Sequence, residues 1–352
     1  MATVAGGLID TTVSSAGTGT TSDILGNLIS ATLLTLSEAT KLTVSSSDSD
    51  ATRSANLKIT TSSTGTDVNL AGSTGNNIFD ASGATGGVAF LGGSGSDQAQ
   101  GGSGGDVLTG GVGNDTVYGG AGNDNVGGGL GDDVINGNQG NDSVWSTTGD
   151  DNLRGGQGDD VVKGGEGNDT VMGDNDNDLV RGGKDSDNVY GGSGADTLYG
   201  DLGDDFVQGN AGADVLYGDN NTGTTSGGAD TLRGGSGADT MYGESGNDVL
   251  YGDRGSDSMT GGSGSDNFVF NLSGASNTFG TGTDIITDFT PGTDTISVLA
   301  NINDTGIASA SDVLGRITDV GGNAVIDLGN GNTITLQGVT SSQISADDIN
   351  IV

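Results

Sequence analysis

The sequence predicts an all-β chain wound as a parallel solenoid, and three observations point that way. Between residues 92 and 269, blocks of nine residues, all but one opened by glycine, follow one another in nineteen copies, one of them lengthened. The sixth position of every block is aspartate. The eighth is apolar in every block, from Ala99, Leu108 and Val117 to Met259 and Phe268. Flexible spacers are glycine-rich too, but they need no fixed register. The period therefore marks a folded repeat.

Each block divides into a six-residue turn and a three-residue strand. In GGVGNDTVY, residues 110–118, glycines at positions one, two and four allow the close backbone approach of a tight turn. Thr116, Val117 and Tyr118 favour a strand whose central side chain turns to one side. Two blocks make one coil. Stacked coils set two parallel sheets back to back around a thin core of position-eight side chains. Fourteen blocks run unbroken over residues 92–217, a sixteen-residue block with seven extra residues spans 218–233, and four more follow.

One apolar side chain per block buries too little to order a whole block unaided. Stacking also places the aspartates of alternate blocks about 4.8 Å apart, where two carboxylates repel by about 3.5 kcal/mol at an effective dielectric of 20. A cation must answer that charge. With no histidine and no cysteine in the chain, the ligands are carboxylate and carbonyl oxygens, which suit calcium. Without calcium, disorder is the expected state of the array.

Composition narrows the function. The 352 residues include 72 glycines, and 10 Lys plus Arg against 47 Asp plus Glu give a net charge of −37. That balance argues against nucleic acid and anionic membranes as partners. The absence of cysteine and histidine excludes thiolate sites, histidine-based zinc sites and Ser-His-Asp triads. GGSGG at 101–105 meets the G-x-S-x-G pattern only as a repeat turn without a base. DNDND at 174–178 imitates the start of an EF-hand loop, yet Leu179 stands where the loop's glycine belongs. A carboxylate-pair glycosidase is the catalytic class that composition leaves open, but most aspartates already have a periodic place. The expectation is a protein that is not an enzyme. The most apolar stretch, residues 24–36, is too short and polar to span a bilayer, so no membrane insertion is expected. The amino terminus shows no cleavable secretory signal.

The block G-G-x-G-x-D-x-U-x resembles the RTX (hemolysin-type) calcium-binding nonapeptide, whose arrays form parallel β-solenoids. The resemblance implies a right-handed parallel β-roll, loaded with calcium, between β-rich N- and C-terminal caps. It implies a calcium ligand at each sixth position: Asp97, Asp106, Asp115, Asp124, Asp133, Asp142, Asp151, Asp160, Asp169, Asp178, Asp187, Asp196, Asp205, Asp214, Asp230, Asp239, Asp248, Asp257 and Asp266. Carbonyl ligands are implied at positions two and four. In the blocks that keep both glycines these are Gly93, Gly95, Gly102, Gly104, Gly111, Gly113, Gly120, Gly122, Gly129, Gly131, Gly156, Gly158, Gly165, Gly167, Gly192, Gly194, Gly235, Gly237, Gly262 and Gly264. Pairing each block with the next but one gives about seventeen calcium sites, whose charge nearly cancels that of the chain. Three kinds of departure stand out. The block opening Ser146-Thr147-Thr148 lacks both leading glycines, Asp176 and Asp185 replace glycine at position four, and Asp201, Asp219 and Asp253 stand at position two.

Domains are expected at 1–91, 92–269 and 270–352. Residues 1–91 read as a β-rich cap or docking region, with strands at 56–60 and 67–70 and a short helix or strand pair within 22–42. GSTGNNIFD, from Gly72, looks like an opening coil with Asn77 in place of aspartate. The carboxy-terminal region resembles the cap that follows the repeats in serralysin-type secreted proteins, through Asp284, Ile286, Asp288, Phe289, Gly292, Asp294 and Ile296. Asp284, Asp288 and Asp294 are candidates for a terminal calcium site. Residues 324–328 and 333–336 read as a hairpin. The last stretch, GNTITLQGVTSSQISADDINIV, resembles an uncleaved type I secretion signal, which implies type I secretion machinery as a partner and an extracellular or cell-surface location.

Two functions fit this reading. The first is a secreted calcium-binding structural protein that self-assembles into a surface layer, filament or matrix. The alternative is a calcium-dependent adhesin or glycan-binding module. Position nine points outward and carries all six tyrosines and the tryptophan. In even-numbered blocks it reads Trp145, Lys163, Arg181, Tyr199, Tyr217 and Tyr242, a candidate face for lateral assembly or for a cell-surface glycan.

Overall fold

A computed structural model describes residues 11–12, 32–36, 41–43, 57–61, 65–71, 73–219, 227–271 and 282–352. They fall into two units, Met1–Val171 and Met172–Val352. The chain is an all-β parallel β-roll, as expected.

In the first unit, one sheet runs in the order Thr11–Thr12, Thr32–Leu36, Leu57–Thr61, Ile78–Asp80, Gln98–Gln100, Thr116–Ala121, Val134–Gln139, Asn152–Gln157. The other contains Lys41–Thr43, Asp67–Asn69, Ala89–Ser94, Val107–Val112, Asn125–Leu130, Ser143–Trp145 and Val161–Glu166. Strand neighbours are parallel, with Thr116 opposite Val134, Val134 opposite Asn152, and Asn125 opposite Ser143. Each such pair is two blocks apart, so one coil is two blocks, with alternate strands in alternate sheets. The winding already holds ahead of the repeats: Asp67–Asn69 pairs with Ala89–Ser94, and Leu57–Thr61 with Ile78–Asp80. Of the segment expected as helix or strand pair, the described part is the strands Thr32–Leu36 and Lys41–Thr43, in opposite sheets. The rest of it lies outside the described residues.

The second unit repeats the plan. Phe206–Ala211 pairs directly with Thr231–Ser236, and Val215–Asp219 with Thr240–Tyr242, so the lengthened block keeps its register. Of the extra residues, 220–226 lie outside the described residues. Past residue 270, Thr283–Ile286, Thr295–Val298 and Ile349–Ile351 continue the parallel sheets. The expected hairpin is present: Asn323–Gly329 and Asn332–Leu336 are antiparallel, and Ile317–Val320 adds a third strand.

The core is as thin as the sequence implies. Position-eight side chains from Ala99 to Phe268 are at most 3% exposed, one per block. The carboxy-terminal elements bury a larger apolar set that includes Ile286, Ile296, Val313, Ile326 and Leu336, and Phe289 lies 6.2 Å from Phe268.

Candidate calcium-binding turns

The position-six aspartate closes each turn just ahead of the strand, and the neighbouring coils hold it. Its carbonyl accepts from the first strand residue of the next coil, as in Thr116 N–H to Asp97 O at 2.9 Å. Its own N–H donates to Oδ1 of the next aspartate on the same edge. This links Asp97 to Asp115 at 2.7 Å, Asp124 to Asp142 at 2.8 Å and Asp196 to Asp214 at 2.9 Å. The lengthened block preserves the contact, with Asp205 donating to Asp230 at 2.8 Å and Asp214 to Asp239 at 2.9 Å. Odd and even blocks turn at opposite edges, so each unit carries two such ladders.

The second carboxylate oxygen is treated differently. In Asp97, Asp115, Asp124, Asp142 and Asp151 of the first unit, Oδ2 is buried and has no hydrogen-bond partner. The same holds for Asp196, Asp205, Asp214, Asp230, Asp239, Asp248 and Asp257 of the second. This oxygen lies against the position-one glycine of its own turn, and a carbonyl oxygen from the next coil lies there too. A methyl group built on Gly92 would fall 2.3 Å from Asp97 Oδ2 and 2.3 Å from the Gly110 carbonyl oxygen. On Gly200 it would fall 2.4 Å from Asp205 Oδ2 and 2.5 Å from the Gly218 carbonyl oxygen. In these turns position one leaves no room for a side chain, and two acceptors face one small space. The sequence reading assigned carbonyl ligands to positions two and four and missed these position-one carbonyls.

Burial pushes the carboxyls up. Asp115, Asp124, Asp133, Asp205, Asp239 and Asp248 rise from the ordinary 3.8 to about 7. Asp230 and Asp257 reach about 8, and Asp97, Asp142, Asp196 and Asp266 about 6. Loss of hydration is the largest cause, and the donated backbone N–H opposes it. For Asp124, Asp230 and Asp239 the neighbouring aspartates of the ladder add to the rise.

Of the twenty glycines expected at positions two and four, eighteen have φ between 98° and 149°; Gly102 and Gly104 are the exceptions. A methyl group on Gly111 would strike the Gly93 carbonyl oxygen at 2.3 Å, and one on Gly113 the Gly95 carbonyl oxygen at 2.4 Å. These carbonyls thus stack coil upon coil as two further rows of oxygens. Where other residues replace the glycine, the backbone keeps its left-handed turn: Asp174 at φ 84°, Asp176 at 72°, Asp185 at 73°, Asp201 at 83° and Asp253 at 63°. Short polar side chains tolerate that region best. Asp201 and Asp253 also form ion pairs, with Arg181 and Arg233, and Asp219 accepts from the Ser245 N–H at 3.1 Å and hydroxyl at 2.8 Å. In the block that lacks leading glycines, the Ser146 hydroxyl donates to Asp133 Oδ2 at 3.3 Å.

The ladders outlast the period. Asp257 N–H donates to Asp284 Oδ1 at 3.0 Å and Asp266 N–H to Asp294 Oδ1 at 3.1 Å. Asp284 and Asp294 therefore extend opposite edges. Asp288 instead accepts from the Gly261 and Gly262 N–H groups at 3.0 and 2.8 Å. The three do not gather into the single terminal site that the sequence suggested. Among the described residues, no three carboxylates converge as a metal-binding group.

Position five, which the sequence reading left unassigned, carries a ladder of opposite polarity. Asp132 N–H donates back to Asn114 Oδ1 at 3.2 Å, Asp150 N–H to Asp132 Oδ1 at 3.1 Å, and Ala195 N–H to Asn177 Oδ1 at 2.8 Å. The recurrence of Asn and Asp there was the available signal.

Position nine lies on the outer faces. In the first unit Trp145 folds over its neighbour, within 2.4 Å of where a Gly127 side chain would begin, and donates to Asn125 at 2.9 Å. In the second, Tyr199 and Tyr217 stack at 4.7 Å, Tyr217 and Tyr242 at 5.0 Å, and Arg181 caps Tyr199 at 4.8 Å. Replacing Tyr199, Tyr217 and Tyr242 together by serine removes two stacked pairs, each worth about 0.5–1.5 kcal/mol. The expected result is a lower thermal midpoint with calcium-dependent folding retained; an unchanged midpoint would mean that the stack stabilises nothing.

Buried carboxylate oxygens without partners, faced by carbonyl oxygens in a chain with no histidine or cysteine, fit a hard divalent cation of calcium's type. A family model, the RTX calcium-binding nonapeptide repeat (4 copies), matches residues 91–268 in ten segments, just over half of the chain. The chain belongs to the RTX calcium-binding nonapeptide repeat family. Two solved structures are similar to parts of this RTX chain. One is the AlgE6R3 subunit of the mannuronan C5-epimerase from Azotobacter vinelandii, 26% identical over 47% of this chain and 77% of that one, with a TM-score of 0.26. The other is the extracellular lipase LipA from Serratia marcescens, 18% identical over 80% of this chain and 45% of that one, with a TM-score of 0.28. The RTX chain thus spans less than half of the lipase's length. No curated protein matches it.

Proposed function

We propose that this RTX protein is a secreted structural protein whose calcium-folded roll is the building element of an extracellular assembly: a surface layer, filament or matrix. The observation that carries this reading is the set of carboxylate ladders in each unit, which commits much of the chain's acidity to making the roll itself. Calcium is held by the position-six aspartates together with turn carbonyls at positions one, two and four. Outside the cell, calcium sites as weak as about 10⁻⁴–10⁻³ M suffice, which suits export of an unfolded chain by type I machinery and folding on arrival.

The adhesin or glycan-binding alternative finds less support at the tyrosine row. Sugars stack on ring faces, and here the faces of Tyr199, Tyr217 and Tyr242 pack on one another. Edges and hydroxyl groups are what the row offers a neighbour. Electron microscopy of the purified protein with calcium, and again after chelation, tests the proposal. A lattice or filament that disperses with EDTA is expected. Monodisperse particles in calcium that bind a glycan saturably would favour the alternative.

A further inference from the structure

We infer that Asn77 closes the calcium ladder on its amino-terminal side, with an amide in the place of a cation, so that the step from its coil to that of Asp97 takes no calcium. This rests on the calcium reading above. Asn77 holds the position-six place of the coil that precedes the first full block, and it is 1% exposed. Its backbone N–H makes the ladder contact, donating to Asp97 Oδ1 at 2.6 Å. Its side chain departs from the ladder. Nδ2 donates to the Gly75 carbonyl at 2.8 Å and Asp97 Oδ1 at 2.9 Å, and the Gly92 carbonyl and the Ser73 hydroxyl each lie 3.2 Å from it, sharing its two hydrogens.

These partners are telling. Gly75 is the position-four residue of the same turn, and Gly92 is the position-one residue of the next coil. Further along, a position-one carbonyl meets a carboxylate oxygen from the preceding coil. The Gly110 carbonyl and Asp97 Oδ2 share the space over Gly92, and the Gly137 carbonyl and Asp124 Oδ2 share that over Gly119. Acceptor meets acceptor, and a cation must reconcile them. At Asn77 a donor meets the carbonyl instead. Convergence of oxygen acceptors on one atom also fixes that atom as the amide nitrogen. A neutral side chain removes one of the two repelling carboxylates as well. The demand for a cation on this ladder begins one coil later, with Asp97 Oδ2 and the Gly110 carbonyl.

The test compares the full chain with its Asn77→Asp and Asn77→Ala variants, counting bound calcium by native mass spectrometry at saturation and following thermal melting. Asn77→Asp creates one more acceptor-acceptor rung and is expected to bind one more calcium ion than the parent. Asn77→Ala is expected to bind the parent's number and to melt lower. An unchanged count in a folded Asn77→Asp, or one ion lost in Asn77→Ala, overturns the inference. Should Asn77→Asp fail to fold, the Asn77→Ala count alone decides. A parent that binds no calcium at all is a different result, and it overturns the calcium reading itself.

Discussion

EDTA is expected to abolish most of the strand signal of the repeat array, and millimolar calcium to restore it, followed by circular dichroism. The expectation follows from what opposes folding in the metal-free chain. Each block offers the core one side chain, such as Val117 or Leu216, and each also buries a carboxylate. A buried carboxylate oxygen without a partner costs several kcal/mol unless it is neutralised or liganded, and this cost recurs at Asp115, Asp124, Asp142, Asp196, Asp214, Asp239 and Asp257. Repulsion along each edge adds to it. Calcium removes both terms at once and binds only where coils are stacked, so its binding energy becomes folding energy. A strand signal indifferent to chelation would show that the thin core and the backbone ladders suffice alone.

Much of this was legible in the sequence because the repeat converts position directly into place. A nine-residue period with fixed aspartate and fixed apolar positions determines register, and Val117 opposite Ile135 is simply position eight on position eight. The carboxylate ladders followed from the same clock. The position-one carbonyls did not, because their role depends on where the next coil's backbone passes, which no residue identity records. Asp201 and Asp253 were also opaque. Their partners Arg181 and Arg233 lie twenty residues upstream, a pairing created by the stacking rather than by the repeat. The extension of the ladders to Asp284 and Asp294 was hidden because the spacing there becomes 27 and 28 residues. Stacking tolerates insertions in a turn that a sequence period does not.

Acidification is expected to act in opposite directions with and without calcium. In the metal-free roll the carboxyls of Asp115, Asp205 and Asp239 rise to about 7, and those of Asp230 and Asp257 to about 8, from the ordinary 3.8. Between those limits the folded chain holds more protons than the unfolded one, so its stability falls as pH rises. Protonation also removes the charge that makes stacking unfavourable. Lowering the pH of the EDTA-treated protein from 8 towards about 5, still above its isoelectric point near 4.1, should therefore recover part of the strand signal. With calcium the sign reverses, because the ligand carboxylates must be ionised to bind it. The calcium concentration at the folding midpoint should rise as pH falls towards about 5, where calcium must displace protons from the partly refolded roll; near pH 7 the unfolded metal-free chain is already ionised, and calcium should release few protons there. An EDTA-treated chain as unfolded at pH 5 as at pH 8, together with a calcium midpoint indifferent to pH, would place the ladder carboxyls in water rather than in the roll.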